Sequence, residues 1–233
     1  MKLKGRLRVV ADMVPKCDIV YDIGTDHAYV PIYLIQEGRC KRSVASDVRE
    51  GPLKVATQNI LEYGFEEKIT KRTGFGLDTI GSDETGVIII AGMGGLTITQ
   101  ILGKGLETAK RFNAIIIQPM NSIELVRKWL YENGFAIYSE RLSKEGNRIY
   151  STLAAKWTGR IQSKKEIYYY VGEKLIESQD RLLEKYILKK LEQKDKILAQ
   201  MEKKNEDYDN LKSRYKRIRD GFDELLKTIN QRV

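Results

Sequence analysis

The sequence predicts an α/β fold: a doubly wound parallel sheet followed by an antiparallel pair of long helices. Three observations carry that expectation. Short β-branched runs alternate with amphipathic segments of helical length through the first 157 residues. Two further strand-like runs, 135–143 and 148–157, then follow with no helix between them. After Trp157 the composition shifts to Lys, Glu, Leu and Gln, with no proline and three glycines. Continuous β-branched runs suit strands buried on both faces. Their alternation with helices implies right-handed crossovers.

The elements can be read in chain order. Residues 17–23 form an apolar run ending at Gly24, and residues 42–47 form a second. Residues 68–72 are a weaker third. Residues 87–91 are the strongest run and enter Gly92, and residues 113–117 enter Gln118-Pro119. Residues 52–63 and 122–133 have the length and patterning of crossover helices. The pair 135–143 and 148–157 reads as an antiparallel hairpin closing the sheet. In the tail, Tyr208, Leu211, Tyr215, Ile218, Phe222, Leu225 and Ile229 alternate spacings of three and four. That is a heptad seam. Leu183, Ile187, Leu191, Leu198 and Met201 give a looser one upstream, and Asn205-Glu-Asp207 supplies the turn. The expected division is a ligand-binding domain over 1–159 and a helical coiled-coil hairpin over 160–233.

Bulk composition narrows the function. The chain has 233 residues, 42% of them hydrophobic, enough for one sizeable core plus an appendage. No run of eighteen apolar residues exists, so no membrane span is expected. The basic start, residues 1–8, lacks the apolar segment of a signal peptide, which points to the cytoplasm. Cys17 and Cys40 are expected to stay reduced, and one histidine with two cysteines makes no metal site. A formal charge of +9 favours polyanionic partners. Basic pairs at Lys41-Arg42, Lys71-Arg72, Lys110-Arg111 and Arg127-Lys128 are candidates for a phosphate-tracking surface, together with Lys2, Lys4, Arg6 and Arg8.

The chemistry concentrates where strands end. Asp22-Ile-Gly24-Thr25-Asp26-His27 lies at the first strand-to-helix turn, on the carboxyl edge where such sheets bind ligands. Gly24 permits the tight turn. A dinucleotide site wants a second glycine two residues on, and here that position is Asp26. A carboxylate there repels phosphate and suits a ligand bearing sulfonium and ammonium groups, which is S-adenosylmethionine. Asp47 ends the second strand, where an acid accepts from ribose hydroxyls. Gly92-Met93-Gly94-Gly95 follows the strongest strand and lets a ligand lie against backbone.

Taken together, these motifs resemble the bacterial tRNA (adenine-22-N1)-methyltransferase family. The resemblance spans nearly the whole chain. It rests on Asp22 to His27, Ser46-Asp47, Ala91 to Gly95, Gln118-Pro119-Met120, Asn147-Arg148-Ile-Tyr150 and the coiled-coil tail. It implies a Rossmann-like class I methyltransferase domain, S-adenosylmethionine as cofactor and tRNA as partner. It also implies methyl transfer to N1 of an adenosine in the D-arm. The family has Gly-Asp-Gly-Leu after the third strand, whereas this chain has Gly74-Phe75-Gly76-Leu77. Asp78 or a backbone carbonyl is then the substitute contact to the cofactor's adenine.

The expected roles follow. Asp22, Gly24, Thr25, Asp47, Gly74, Gly92, Met93, Gly94 and Gly95 bind cofactor. Asp26 and His27 are the catalytic candidates, Asp26 as a carboxylate beside the reacting base. Tyr29, Gln118, Pro119, Asn147, Arg148 and Tyr150 are substrate-side candidates, the tyrosines as stacking surfaces for a flipped base. The competing readings are a methyltransferase for a small molecule or protein, and an RNA-binding protein with a degenerate pocket. A monomer is expected, with dimerisation through the heptad seam as the alternative.

Overall fold

The computed structural model describes residues 1–203 and 209–231. The chain divides into two compact units, Met1–Ser163 and Lys164–Val233. Unit one begins with α1 (Gly5–Met13), β1 (Cys17–Ile23), α2 (Tyr29–Gln36), β2 (Cys40–Asp47), α3 (Glu50–Glu62) and β3 (Ile69–Thr73). A 3₁₀ turn over Gly76–Thr79 leads to β4 (Val87–Met93), α4 (Gly95–Lys104) and α5 (Leu106–Arg111). Then come β5 (Ala114–Pro119), α6 (Ile123–Glu132), β6 (Phe135–Glu145) and β7 (Arg148–Trp157).

The seven strands form one sheet in the order β3-β2-β1-β4-β5-β7-β6. β1 to β5 run parallel, while β7 is antiparallel to both β5 and β6. The order reverses beside β1, so the crevice outside the ends of β1 and β4 is the natural ligand site. The central strands are apolar on both faces because helices cover both: Ile88, Ile89, Ile90, Ile115, Ile116 and Ile117 are all buried. The expected closing hairpin is present.

Three features differ from what the sequence suggests. The basic N-terminal stretch forms α1, which packs on β6, β7 and β5. Arg127, expected on a basic surface, is instead wholly buried: its Nε donates to Glu140 at 2.7 Å and its Nη2 to Ser151 at 3.1 Å. Arg72 also leaves the candidate surface, forking onto Glu84 with two hydrogen bonds of 2.6 Å. Guanidinium groups pair bidentately with carboxylates where solvent is scarce, and no local pattern marks which arginine will do so.

Unit two opens with two short helices, α7 (Glu166–Tyr170) and α8 (Glu173–Glu177). They precede α9 (Leu183–Lys203) and α10 (Asp209–Asn230). Ion pairs Glu202–Lys212 and Asp195–Arg219, at 3.7 and 3.2 Å, show that α9 and α10 run antiparallel. The seam is driest around Ile187, Ile218 and Phe222, where Tyr170 meets Phe222 edge to face. Tyr208 and the expected turn over 205–207 lie outside the described residues. Among the described residues, no helix is long and apolar enough to cross a membrane.

Candidate active site

A cleft of about 380 Å³ opens at the carboxyl ends of β1, β2 and β4. Its wall brings together Asp22, Gly24, Thr25, Asp26, His27, Tyr29, Asp47, Gly92 and Met93. The turn after β1 is tied to β2, for Gly24 and Thr25 donate their N–H groups to the Ser46 carbonyl at 2.7 and 2.8 Å. Gly24 has φ +76, and a Cβ there would lie 1.9 Å from the Met93 Cε. That neighbour is the movable end of a side chain, so it is the positive φ that favours glycine at this turn. Ala28 takes φ 55 at the start of α2, a strained value for alanine. Asn59 braces that loop by donating to the His27 carbonyl at 2.9 Å.

Three carboxylates face this space in different states. Asp22 is buried, and burial pushes its carboxyl up to about 6, with the neighbouring Asp47 charge adding to the rise and the Thr25 hydroxyl opposing it. Asp47 is also buried, and its Oδ1 accepts from the Arg49 N–H at 2.8 Å. Asp26 is exposed, and its Oδ2 lies 3.2 Å from the His27 Nε2. The His27 ring stacks on Tyr29 at 4.9 Å with an 8° interplanar angle, and its Nδ1 is buried without a hydrogen-bond partner. Tyr29 is exposed, so the stack presents a flat face to solvent.

The remaining sequence candidates do not line its wall. Gly74 donates its N–H to the Asp47 carbonyl at 3.1 Å. Gly95 starts α4 and packs tightly: a Cβ there would meet the Ser122 carbonyl oxygen at 2.3 Å. Gly94 precedes it, against Asn121. Gln118 and Pro119 are buried at the end of β5, and Tyr150 is buried on β7. Asn147 and Arg148 sit at the tip of the β6–β7 hairpin. Phe75 lies under the Lys104 ammonium, which also pairs with Asp78. The Asp78 carboxylate is therefore already engaged.

Leu7, Ala28, Val30 and Arg49 also line the wall with no role expected from the sequence, and Arg6, expected on a phosphate-tracking surface, lines it as well. Arg6 comes from α1, over a hundred residues before its partner Gln118. No local signal reports that approach. Arg49 follows Asp47 by two residues and was within reach of a motif reading.

The cleft passes the chemical test for S-adenosylmethionine. It has a buried acid at the end of β2, a turn whose positive φ favours glycine, and carboxylates that can supply counter-charge to a sulfonium and an ammonium. Parallel strands with a closing antiparallel hairpin, and an acid-lined cleft at the switch point, define a Rossmann-like methyltransferase domain. The model of the family described as "Methyltransferase domain" matches residues 3–153. The tRNA (adenine(22)-N(1))-methyltransferase of Bacillus subtilis is 33% identical over 156 residues, 67% of this chain and 66% of that relative. The crystal structure of the B. subtilis m1A22 tRNA methyltransferase TrmK superposes with a TM-score of 0.82 at 29% identity, covering 98% of each chain. A Streptococcus pneumoniae protein solved with S-adenosyl-L-methionine gives 0.83 at 30% identity, covering 95% of this chain and 98% of that one. The chain belongs to the methyltransferase-domain family, in its branch of tRNA (adenine-22-N1)-methyltransferases.

Proposed function

We propose that this chain transfers a methyl group from S-adenosylmethionine to N1 of an adenosine in tRNA, at position 22 of the D-arm. One observation carries the reading: the acid-lined cleft and the exposed His27–Tyr29 stack occupy the same strand-end site. The named relatives supply the substrate class. On this reading Asp22, Gly24, Thr25, Asp47, Gly92 and Met93 hold the cofactor. Gly74, Gly94 and Gly95 shape the adjoining turns. When bound, the cofactor supplies an electrophilic methyl group on a sulfonium.

Adenine N1 has its lone pair in the ring plane, so attack needs no prior deprotonation. The protein must align the base and tolerate the positive charge that moves onto it. Asp26 accepts from the exocyclic amine and faces that developing charge. His27 steadies the Asp26 carboxylate and backs Tyr29. Tyr29 stacks on the base once it is flipped from the tRNA. Gln118, Pro119 and Tyr150 are buried behind the site and act through the residues they hold, while Asn147 and Arg148 at the hairpin tip meet the RNA backbone.

The domains divide the work: residues 1–159 carry the chemistry and 160–233 grip the tRNA. The protein acts in the cytoplasm, where tRNA is found, and as a monomer, since the apolar seam of α9 and α10 is consumed within one chain at Ile187, Ile218 and Phe222. The test is incubation with unmodified tRNA and a methyl-labelled donor, followed by nucleoside mass spectrometry. The expected product is 1-methyladenosine, lost when adenosine 22 is replaced by guanosine. Binding of tRNA without any transfer would mark a degenerate RNA-binding protein instead.

A further inference from the structure

We propose that Arg6 positions the target base, donating a hydrogen bond to a ring-nitrogen acceptor of adenine, N7 or N3. The proposal rests on methyl transfer to adenine N1. It adds a residue from α1 to a site otherwise built at strand ends.

Arg6 lines the cleft and is largely buried, with 20% of its side chain exposed. Its placement is fixed from three sides. Its backbone N–H donates to the Glu145 carboxylate at 2.7 Å. Its Nη1 donates to the Gln118 Oε1 at 2.9 Å. Its guanidinium lies 6.0 Å from the Tyr150 ring centroid. Gln118 is wholly buried and its amide cannot flip, because Nε2 donates to the Pro119 carbonyl at 2.7 Å. A flip would set amide donors against Arg6 and a carbonyl against a carbonyl. Gln118 is therefore a holder, and Arg6 is what it holds.

The held guanidinium has unspent capacity. Its Nε is buried and has no hydrogen-bond partner, the Glu145 Oε2 being 3.9 Å away, and the part of the guanidinium a base can reach lies on the 20% of the side chain that is exposed. An unpaired buried donor costs free energy until something accepts from it. A second unpartnered buried atom, Thr152 Oγ1, lies nearby in the sheet. Ile117 pairs with Leu153, and the next residues along those two strands are Gln118 and Thr152. The cleft's other cation, Arg49, is exposed and directed onto Asp47.

The cleft is thus polarised, with acids at the turns after β1 and β2 and the Arg6 guanidinium beside Gly92. Adenine matches that polarity. With N1 toward the methyl donor and the amine toward Asp26, the unused base atoms are the acceptors N7 and N3. Gly92 suits the approach, since even a Cβ there would stand 3.6 Å from the Arg6 Nη1.

The test uses full-length protein and tRNA carrying adenosine, 7-deazaadenosine or 3-deazaadenosine at position 22. Single-turnover rates at saturating cofactor are compared for wild type, Arg6→Met and Arg6→Lys, with cofactor affinity measured by calorimetry. Wild type is expected to lose about tenfold or more on one of the two deaza substrates. Arg6→Met is expected to lose a similar factor on adenosine, to show a penalty on that deaza substrate smaller than the wild type's by that factor, and to bind cofactor normally. Arg6→Lys is expected to recover part of the rate. Each deaza change also alters N1 basicity, but that effect is common to all three proteins and cancels in the comparison. The proposal is overturned if Arg6→Met keeps the full deaza penalty. It is equally overturned if Arg6→Met weakens cofactor binding by the factor it loses in rate, which would make Arg6 a holder of the cofactor's carboxylate. Failure of wild type to methylate the adenosine substrate would instead sink the proposed reaction itself.

Discussion

At the residue scale, the three aspartates of the cleft behave differently because their surroundings differ. Asp22 has its carboxyl raised to about 6 from 3.8. Such a group stabilises the fold fully below 3.8 and loses that contribution as pH rises through about 6. Carrying the charge at neutral pH costs the unliganded fold about 3 kcal/mol. A bound sulfonium or ammonium ion reverses the preference by favouring the carboxylate. Cofactor affinity should therefore weaken as pH falls below about 6, with proton release on binding near that pH. Calorimetry in buffers of different ionisation enthalpy reads both. Affinity that stays flat from pH 8 to pH 5 would show that Asp22 does not face the cofactor's charge. Asp26 is exposed, and its proposed work is on the reacting base. Asp26→Ala should cut the single-turnover rate at least tenfold more than it cuts cofactor affinity. Equal losses would make Asp26 a cofactor ligand only.

At the element scale, the strand ends owe their shape to close packing as much as to turn chemistry. The start of α4 touches the backbone at 121–122, where a Cβ on Gly95 would meet carbonyl oxygens at 2.3 and 2.9 Å. Gly95→Ala should destabilise unit one by about 1–3 kcal/mol, because backbone cannot yield as a flexible side chain can. Gly51 in α3 is the control: a Cβ there meets nothing within 4 Å, and its φ is not positive. Gly51→Ala should leave stability unchanged or raise it by a few tenths of a kcal/mol. Thermal unfolding of the two variants settles the contrast. Equal melting temperatures would show that the α4 contact carries no energy.

At the scale of the whole molecule, the break falls after Ser163. The sheet, its closing hairpin and the cleft all precede it. A chain ending at Ser163 should fold, bind cofactor with native affinity and methylate tRNA poorly. The lost rate reflects remote binding energy that the full chain spends on alignment. Cofactor titration, tRNA affinity and solution mass of both forms check this together. Full methylation by the shortened chain would remove the tail from substrate recognition. A full-length dimer that becomes a monomer on truncation would assign the tail to assembly.

The sequence by itself determined the strands, their turns and the acids at their ends. Those signals are local: β-branched runs at 87–91 and 113–117, a single-glycine turn at Gly24, and a heptad seam from Leu211 to Ile229. It also determined which side of the sheet carries the site, because strand–helix alternation puts every strand end on one edge. Tertiary structure alone decided the rest. It carried α1 across to the cleft and set Arg6 against Gln118, 112 positions away. It buried Arg127 on Glu140 when the sequence offered it as one more surface charge. It also separated the glycines of one motif, leaving Gly92 on the cleft wall and Gly95 against Ser122. A residue's type fixes what it can donate or accept, but its partner depends on which distant backbone packing brings alongside. Burial then turns that proximity into a strong interaction.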